Sequence, residues 1–180
     1  MNMKDKVKSI TSRKEKGVIL LTIDSSNYLD TNTKMVKALA NSGLRGVYVT
    51  LNYPYGYLKK KLAESGVKVE NIHFVDMITK ASGIQTEKKE DCTFIDNPAG
   101  LTDLGIVLAG LLPGKDFLFL DSLSTMLLRN ESRSVEKFSQ FLSARVRAYG
   151  VKAVFVSLKR KEDEDIIKTV SQFADEVILV

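Results

Sequence analysis

Apolar runs rich in β-branched residues alternate with amphipathic segments along the chain. Continuous apolar runs are typical of strands buried in a parallel sheet, whereas apolar positions three and four residues apart are typical of helices. The pattern predicts strands at 18–24, 46–51, 71–76, 92–95, 117–121, 151–157 and 176–180. It predicts helices within 31–43, 54–66, 97–113, 134–150 and 163–173.

Residue types at the predicted helix ends support these boundaries. Asp30 or Thr31 is predicted to cap the first helix, and Ser134 is predicted to cap the long helix that stops at Gly150. Pro54 suits a first helical turn. The polar segment 79–91 contains no apolar period and is predicted to be an exposed loop or a mobile insertion.

Strands that alternate with helices predict an α/β domain with a mainly parallel sheet and helices on both faces. Ligands of such sheets bind at the carboxyl ends of the strands, so candidate chemistry is sought there. A chain of 180 residues fits one domain. We predict that residues 17–180 form this domain and that residues 1–16 form a basic tail.

The composition narrows the class of protein. No apolar run approaches the ~20 residues of a membrane span, and the Lys-rich start of the chain does not resemble a secretory signal. The single cysteine, Cys92, cannot form an intramolecular disulfide. We therefore expect a cytoplasmic protein with no membrane partner.

The net charge of +5 is concentrated at one end of the chain. Six of the 27 basic and two of the 22 acidic side chains lie in residues 1–16, which leaves 21 basic and 20 acidic groups in the rest. A basic tail can bind a phosphate backbone, but a solvated terminus is the commoner explanation. We do not expect nucleic acid to be a partner.

Asp121 ends the apolar strand 117–121 and is followed by Ser122. A carboxylate in that position can hold Mg²⁺, with Ser122 nearby, although many parallel strands end in Asp-Ser only to cap the next helix. The loop after the first strand, 24–34, contains no glycine. Glycine-rich loops hold phosphates because a Cβ would obstruct the inward-turned N–H groups. Thr31, Thr33 and Lys34 remain weak candidates for binding an anion, and an ordinary strand-to-helix loop is the favoured interpretation.

Other candidate residues are weaker still. Asn52-Tyr53 follows the second strand, where a hydrolytic site requires a carboxylate to orient water. Three tyrosines near this point (Tyr53, Tyr55 and Tyr57) either stack on a ligand or pack against the fold, and we favour packing. His73 is the only histidine, and Cys92 follows an acidic run that should raise its pKa, so catalytic roles for both are disfavoured.

The order of these segments resembles the KaiC-like branch of the RecA superfamily. The resemblance rests on 43–51 (GLRGVYVTL), 58–66 (LKKKLAESG), 118–124 (LFLDSLS) and the ending 173–180 (FADEVILV), and it extends over residues 17–180. It implies a three-layer RecA-like sandwich with strand order 5-1-4-3-2 and, in active members, ATP and Mg²⁺ bound between subunits. Asp121 matches the Walker B aspartate, and Thr31–Lys34 lies near a degenerate Walker A motif. Asn52-Tyr53 occupies the place of the catalytic glutamates.

Three functions remain open at this point. We favour a catalytically inactive KaiC/RecA-like domain, a regulatory or signalling module that binds another protein such as a related RecA-like ATPase or a second copy. No cofactor is then expected. The first alternative is an atypical Mg-ATP-binding protein or weak ATPase that uses Asp121 and Lys34. The second is a DNA-binding accessory protein similar to RecA paralogues, which depends on the basic tail.

Overall fold

The computed structural model describes residues 16–180. Within that part, seven strands are β1 (Gly17–Ile23), β2 (Gly46–Thr50), β3 (Ile72–Asp76), β4 (Cys92–Phe94), β5 (Phe117–Asp121), β6 (Lys152–Leu158) and β7 (Glu176–Leu179). The α-helices of the same part are α1 (Tyr28–Asn41), α2 (Tyr55–Glu64), α3 (Leu101–Leu111), α4 (Leu123–Leu127), α5 (Ser132–Tyr149) and α6 (Glu164–Ser171).

The strands form one parallel sheet in the order β4-β3-β2-β5-β6-β1-β7. When β3 and β4 are set aside and β1, β2, β5, β6 and β7 are renumbered 1 to 5 in chain order, the sheet has the order 5-1-4-3-2 that the resemblance implies. All strands point the same way, so the carboxyl ends of β1, β2, β5 and β6 lie along one edge. The predicted parallel α/β architecture is therefore confirmed.

Helices cover both faces of the sheet, which gives three layers. On one face, α1 and α2 pack against side chains that include Leu21, Tyr48 and Phe119. On the other face, α3, α4, α5 and α6 pack against the alternate strand residues, such as Leu20 and Leu118. Central strands are buried on both sides for this reason, and their apolar runs are continuous rather than alternating.

Two predicted helix caps are wrong. The helix α1 begins at Tyr28, so Asp30 and Thr31 lie inside it, and the preceding chain is instead organised by Asp24, whose Oδ1 accepts a hydrogen bond from Ser26 N. The helix α5 begins at Ser132, two residues before Ser134. Polar residues are frequent before both helices, so several positions fit a cap equally well in the sequence.

The structure adds one helix that the sequence pattern did not predict. Ser122 caps the five-residue helix α4, and its Oγ accepts from Thr125 N. Five residues are too few to show a helical period. The segment 79–91 is mainly exposed, as predicted, with a 3₁₀ turn at Lys80–Ser82 and an isolated bridge between Lys89 and Cys92.

No helix within residues 16–180 is both long enough and apolar enough to cross a bilayer. The predicted basic tail, residues 1–16, lies outside the described residues except for Lys16.

Candidate functional site

The carboxyl edge of the sheet brings Asp121 and Asn52 together. Asp121 is the last residue of β5 and pairs in register with Thr50, the last residue of β2. Asn52 follows β2 by two residues, and its Nδ2 lies 3.0 Å from Asp121 Oδ1. The two positions that the sequence analysis singled out on neighbouring strands are therefore in direct contact.

Both carboxylate oxygens of Asp121 are occupied. The hydroxyl of Tyr48, two strand positions before Thr50, donates to Oδ2 at 2.5 Å, and the amide of Asn52 donates to Oδ1. Asp121 and Tyr48 are fully buried. Because Asp121 is fully buried and each of its oxygens is hydrogen-bonded, neither oxygen is accessible to a ligand at the edge of the sheet in this arrangement.

Asn52 connects Asp121 to the neighbouring helices. Its Nδ2 also donates to the hydroxyl of Tyr28, the first residue of α1, at 2.7 Å, and its Oδ1 accepts from Thr125 Oγ1 at 2.6 Å. Thr125 in turn lies 3.0 Å from Ser122 through their side-chain oxygens. We call the group Tyr28, Tyr48, Asn52, Asp121, Ser122 and Thr125 the Asp121 network.

Burial raises the pKa of Asp121 from its ordinary value of 3.8 to about 8. No Lys or Arg within residues 16–180 forms an ion pair with it to offset the loss of hydration. Burial also raises the pKa of Tyr48. The centre of the network is thus held in its neutral form near neutral pH.

The other predicted site residues lie apart from Asp121. Thr31 is buried inside α1, Thr33 is half-buried, and Lys34 is exposed. Lys34 pairs with Asp30, one turn earlier, at 2.5 Å. No hydrogen bond or ion pair joins these three residues to the Asp121 network in the described part of the chain. Ser122 does belong to the network, through Thr125.

Asn32 is the unusual residue of α1. It is 1% exposed, and neither its Nδ2 nor its Oδ1 has a hydrogen-bond partner within residues 16–180. A buried amide without a partner is uncommon and destabilising. No sequence pattern predicts this environment, because Asn is common near helix starts.

A magnesium nucleotide, which the resemblance implies for active relatives, does not fit these residues in the conformation described. Mg²⁺ binds through carboxylate oxygens that are ionised and accessible, whereas those of Asp121 are buried and already bonded. Lys34, the lysine nearest the start of α1 in the sequence, forms an exposed ion pair with Asp30, and Asp24 adds a second carboxylate there. Residues 16–180 also contain no cluster of three His, Cys, Asp or Glu side chains suited to a metal ion.

Ser157 belongs to a second polar cluster, on the opposite face of the sheet. Its Oγ lies 3.2 Å from Ser124 Oγ, which donates to Asp163 Oδ2 at 2.6 Å. Arg160 binds both oxygens of Asp163 at 2.9 Å. The side chain of Ser157 lies on the α4 and α6 side of the sheet, whereas Asp121 bonds Tyr48 on the α1 and α2 side. We assign this cluster a structural role in joining β6, α4 and the start of α6.

The remaining candidate residues make contacts within the fold. Tyr53 and Tyr57 stack on each other at 5.6 Å, and Tyr55 packs edge-on against Phe74 while its hydroxyl donates to Asp91. His73 Nε2 contacts Thr93 Oγ1 at 2.9 Å. Burial, together with Asp76 and Asp91, raises the pKa of the Cys92 thiol, in agreement with the prediction.

Residues 19–180 match the model of a family of unknown function, DUF7504. The chain belongs to this family. Among curated protein sequences, none matches this DUF7504 member.

Two solved structures share its fold. A KaiC-like protein from the hyperthermophilic archaeon Pyrococcus horikoshii superposes with a TM-score of 0.60 at 18% identity, covering 91% of this chain and 70% of its own. An uncharacterized protein from the same organism, in complex with an unknown peptide, superposes with a TM-score of 0.66 at 19% identity, covering 98% of this chain and 82% of its own. At these identities the likeness establishes the RecA/KaiC-like fold alone.

Proposed function

We propose that this DUF7504 protein is a catalytically inactive RecA/KaiC-like domain that acts as a regulatory or signalling module by binding another protein. The observation that carries the proposal is the Asp121 network. At the position that matches the Walker B aspartate, both carboxylate oxygens are bonded to Tyr48 and Asn52 and the group is fully buried.

The arrangement around Asn52 supports the same proposal. The place that the resemblance gives to catalytic glutamates holds an amide, which donates to Asp121 and Tyr28 and accepts from Thr125. An amide cannot take a proton from water as a carboxylate can. In addition, the hydroxyl of Tyr28 from α1 reaches Asn52 and helps to enclose Asp121.

The proposed partner is a protein, either a related RecA-like ATPase or a second copy of this chain. One solved structure with the same fold is in complex with an unknown peptide, which is consistent with peptide or protein binding by the fold. We propose a cytoplasmic location because the sequence has a single cysteine and its apolar runs are much shorter than a membrane span.

Calorimetry with Mg-ATP and with Mg-ADP tests the inactive state. We expect no binding heat at about 1 mM nucleotide, which corresponds to a binding free energy weaker than about −4 kcal/mol. The controls are Asp121→Ala and, at the other end of β5, Asp116→Ala. Magnesium-dependent binding that disappears only in Asp121→Ala would overturn the proposal in favour of an atypical Mg-ATP site.

A further inference from the structure

A groove runs between α3 and α5 on the face of the sheet opposite α1 and α2. Its volume is about 840 Å³, and its lining includes the small residues Gly105 and Ala109 of α3. The ring of Phe141 approaches Gly105, where an added Cβ would lie 3.6 Å from it. The small side chains of α3 therefore give the groove its depth.

The walls of the groove expose large apolar side chains. Ile106 on α3 is 68% exposed and Phe141 on α5 is 44% exposed. In α3, Thr102 and Asp103 are the only polar residues, and Leu104 and Leu108 already face the core. Of the exposed positions of α3, which are Thr102, Asp103, Ile106 and Gly110, only Ile106 carries a large apolar side chain. Within residues 16–180, nothing covers the outer side of α3 at Ile106.

The α5 rim of the groove is basic. Lys137 and Arg145 line it, and Arg133 precedes Lys137 by one turn on the same helical row. None of the three forms an ion pair with a carboxylate of residues 16–180. The guanidinium of Arg145 instead lies over the Phe141 ring at 4.9 Å. The positive charge of the rim is thus available to a bound partner.

We propose that this groove binds an acidic amphipathic helix of a partner protein. Apolar side chains of the partner pack beside Ile106 and Phe141, and its carboxylates contact Lys137 and Arg145. These two cations are eight residues apart, or about 12 Å along α5, so the matching carboxylates lie about two turns apart. The assignment rests on the proposed function in protein binding.

The charge pattern favours such a partner over a second copy of the chain. A two-fold contact between copies presents the same surface patch on both sides. If α5 met α5, the basic rows would face each other, and like charges in contact are unfavourable. If α3 met α5, the groove lining described here would offer the basic rim a single carboxylate, that of Asp103. An acidic helix meets the same rim with opposite charge.

Fluorescence anisotropy on the full chain tests the groove with two labelled 18-residue peptides. Both peptides have Leu at positions i, i+3, i+4 and i+7 of a helix; one has Glu and the other has Lys at the remaining charged positions. We expect the Glu peptide to bind about tenfold more tightly than the Lys peptide. Ile106→Ser and Phe141→Ser should each weaken the Glu peptide by about fivefold or more.

Charge reversal gives the sharper readout. The double variant Lys137→Glu/Arg145→Glu should invert the preference and bind the Lys peptide more tightly. The matched controls are Leu128→Ser, 71% exposed at the end of α4 outside the groove lining, and Lys60→Glu on the α2 face. Both controls should leave the Glu-peptide affinity unchanged, and thermal denaturation by circular dichroism should show that every variant is folded.

The assignment is overturned if neither peptide binds, if both bind equally, or if the groove variants bind like the controls. Self-association in sedimentation velocity that Ile106→Ser abolishes would assign the groove to a second copy and also overturn it. The nucleotide calorimetry keeps the two proposals separate. If the chain binds neither nucleotide nor peptide, only the assignment of the groove is overturned. If the chain binds Mg-ATP through Asp121, the proposed catalytic inactivity is overturned, whatever the result with the peptides.

Discussion

Asp121 shows at the scale of one residue how burial changes the chemistry of a carboxyl group. Its pKa in the folded chain, about 8, exceeds the ordinary 3.8, so the folded state holds a proton that the unfolded state releases between these values. Stability therefore falls as the pH rises from about 4 to about 8. Below about pH 4, Asp121 is protonated in both the folded and the unfolded state, so its titration no longer lowers the free energy of unfolding.

Asp121→Asn removes this titration. We expect the free energy of unfolding of the variant, relative to wild type, to rise between pH 5 and pH 7.5 by up to about 1.4 kcal/mol per pH unit. Urea denaturation at the two pH values measures it. The altered hydrogen bond to Asn52 changes the free energy of unfolding by the same amount at every pH and does not change its slope with pH. Parallel pH profiles for the two proteins would contradict the raised pKa.

Asn32→Leu tests the buried amide of α1. Because neither polar atom of Asn32 has a partner within residues 16–180, we expect an apolar side chain of similar size to raise the free energy of unfolding by about 1–3 kcal/mol. Asn41 is the matched control on the same helix, since its side chain bonds Gly66 O and Lys68 N. Asn41→Leu should lower stability, and a loss in Asn32→Leu as well would show that Asn32 has a partner.

The sequence predicted part of the candidate site at this scale. It identified Asp121, Ser122 and Asn52 because residues that follow parallel strands meet at one edge. It did not identify Tyr48 and Tyr28, whose hydroxyls enclose the site. Tyr48 lies inside a strand, where the sequence pattern predicts an apolar core residue. Only the packing of β2 against β5 directs its hydroxyl to Asp121.

At the scale of elements, the strands were predictable, whereas the starts of the helices α1 and α5 were not. Central strands such as 117–121 carry unbroken apolar runs because both faces are buried. The start of α1 depended instead on Asp24 bonding Ser26, a local choice among several equivalent polar residues. The helix α4 was too short to leave a period in the sequence.

Gly46 and Gly110 test the packing of two elements. Gly46 opens β2 opposite Phe117 of β5, and an added Cβ would lie 2.4 Å from the buried Phe117 ring. Gly46→Ala should lower the free energy of unfolding by about 2–3 kcal/mol because the ring cannot move aside. Gly110→Ala, with nothing within 4 Å in α3, should raise it by up to about 1 kcal/mol. Chemical denaturation of both variants checks the pair, and equal effects would contradict the close approach of β2 and β5.

At the scale of the whole molecule, the charge is divided between the tail and the domain. Residues 17–180 carry 21 basic and 20 acidic groups, so the domain has little net attraction for DNA. The three-layer fold itself followed from the alternation of strands and helices. The division of the helices between the two faces is determined by the crossover connections, which the sequence pattern does not display.

Deletion of residues 2–16 tests whether any affinity for DNA resides in the tail. Any binding of the full chain to duplex DNA should be weak, with a log–log salt slope no steeper than about −5, because only six tail cations can displace counterions. The truncated chain should lose this binding. Titration of labelled duplex at several salt concentrations measures it, and binding that survives the deletion would point to a DNA-binding surface on the domain.

The bonding of Asn52 determines how the site would respond to a second acid. A change of Asn52 to Asp or Glu would bring a second acid to within hydrogen-bond distance of Asp121 and remove the amide that donates to both Asp121 and Tyr28. Two buried acids without a cation between them resist ionisation. A second acid at position 52 would therefore lower the stability of the fold near neutral pH, and the amide that Asn52 supplies avoids this loss.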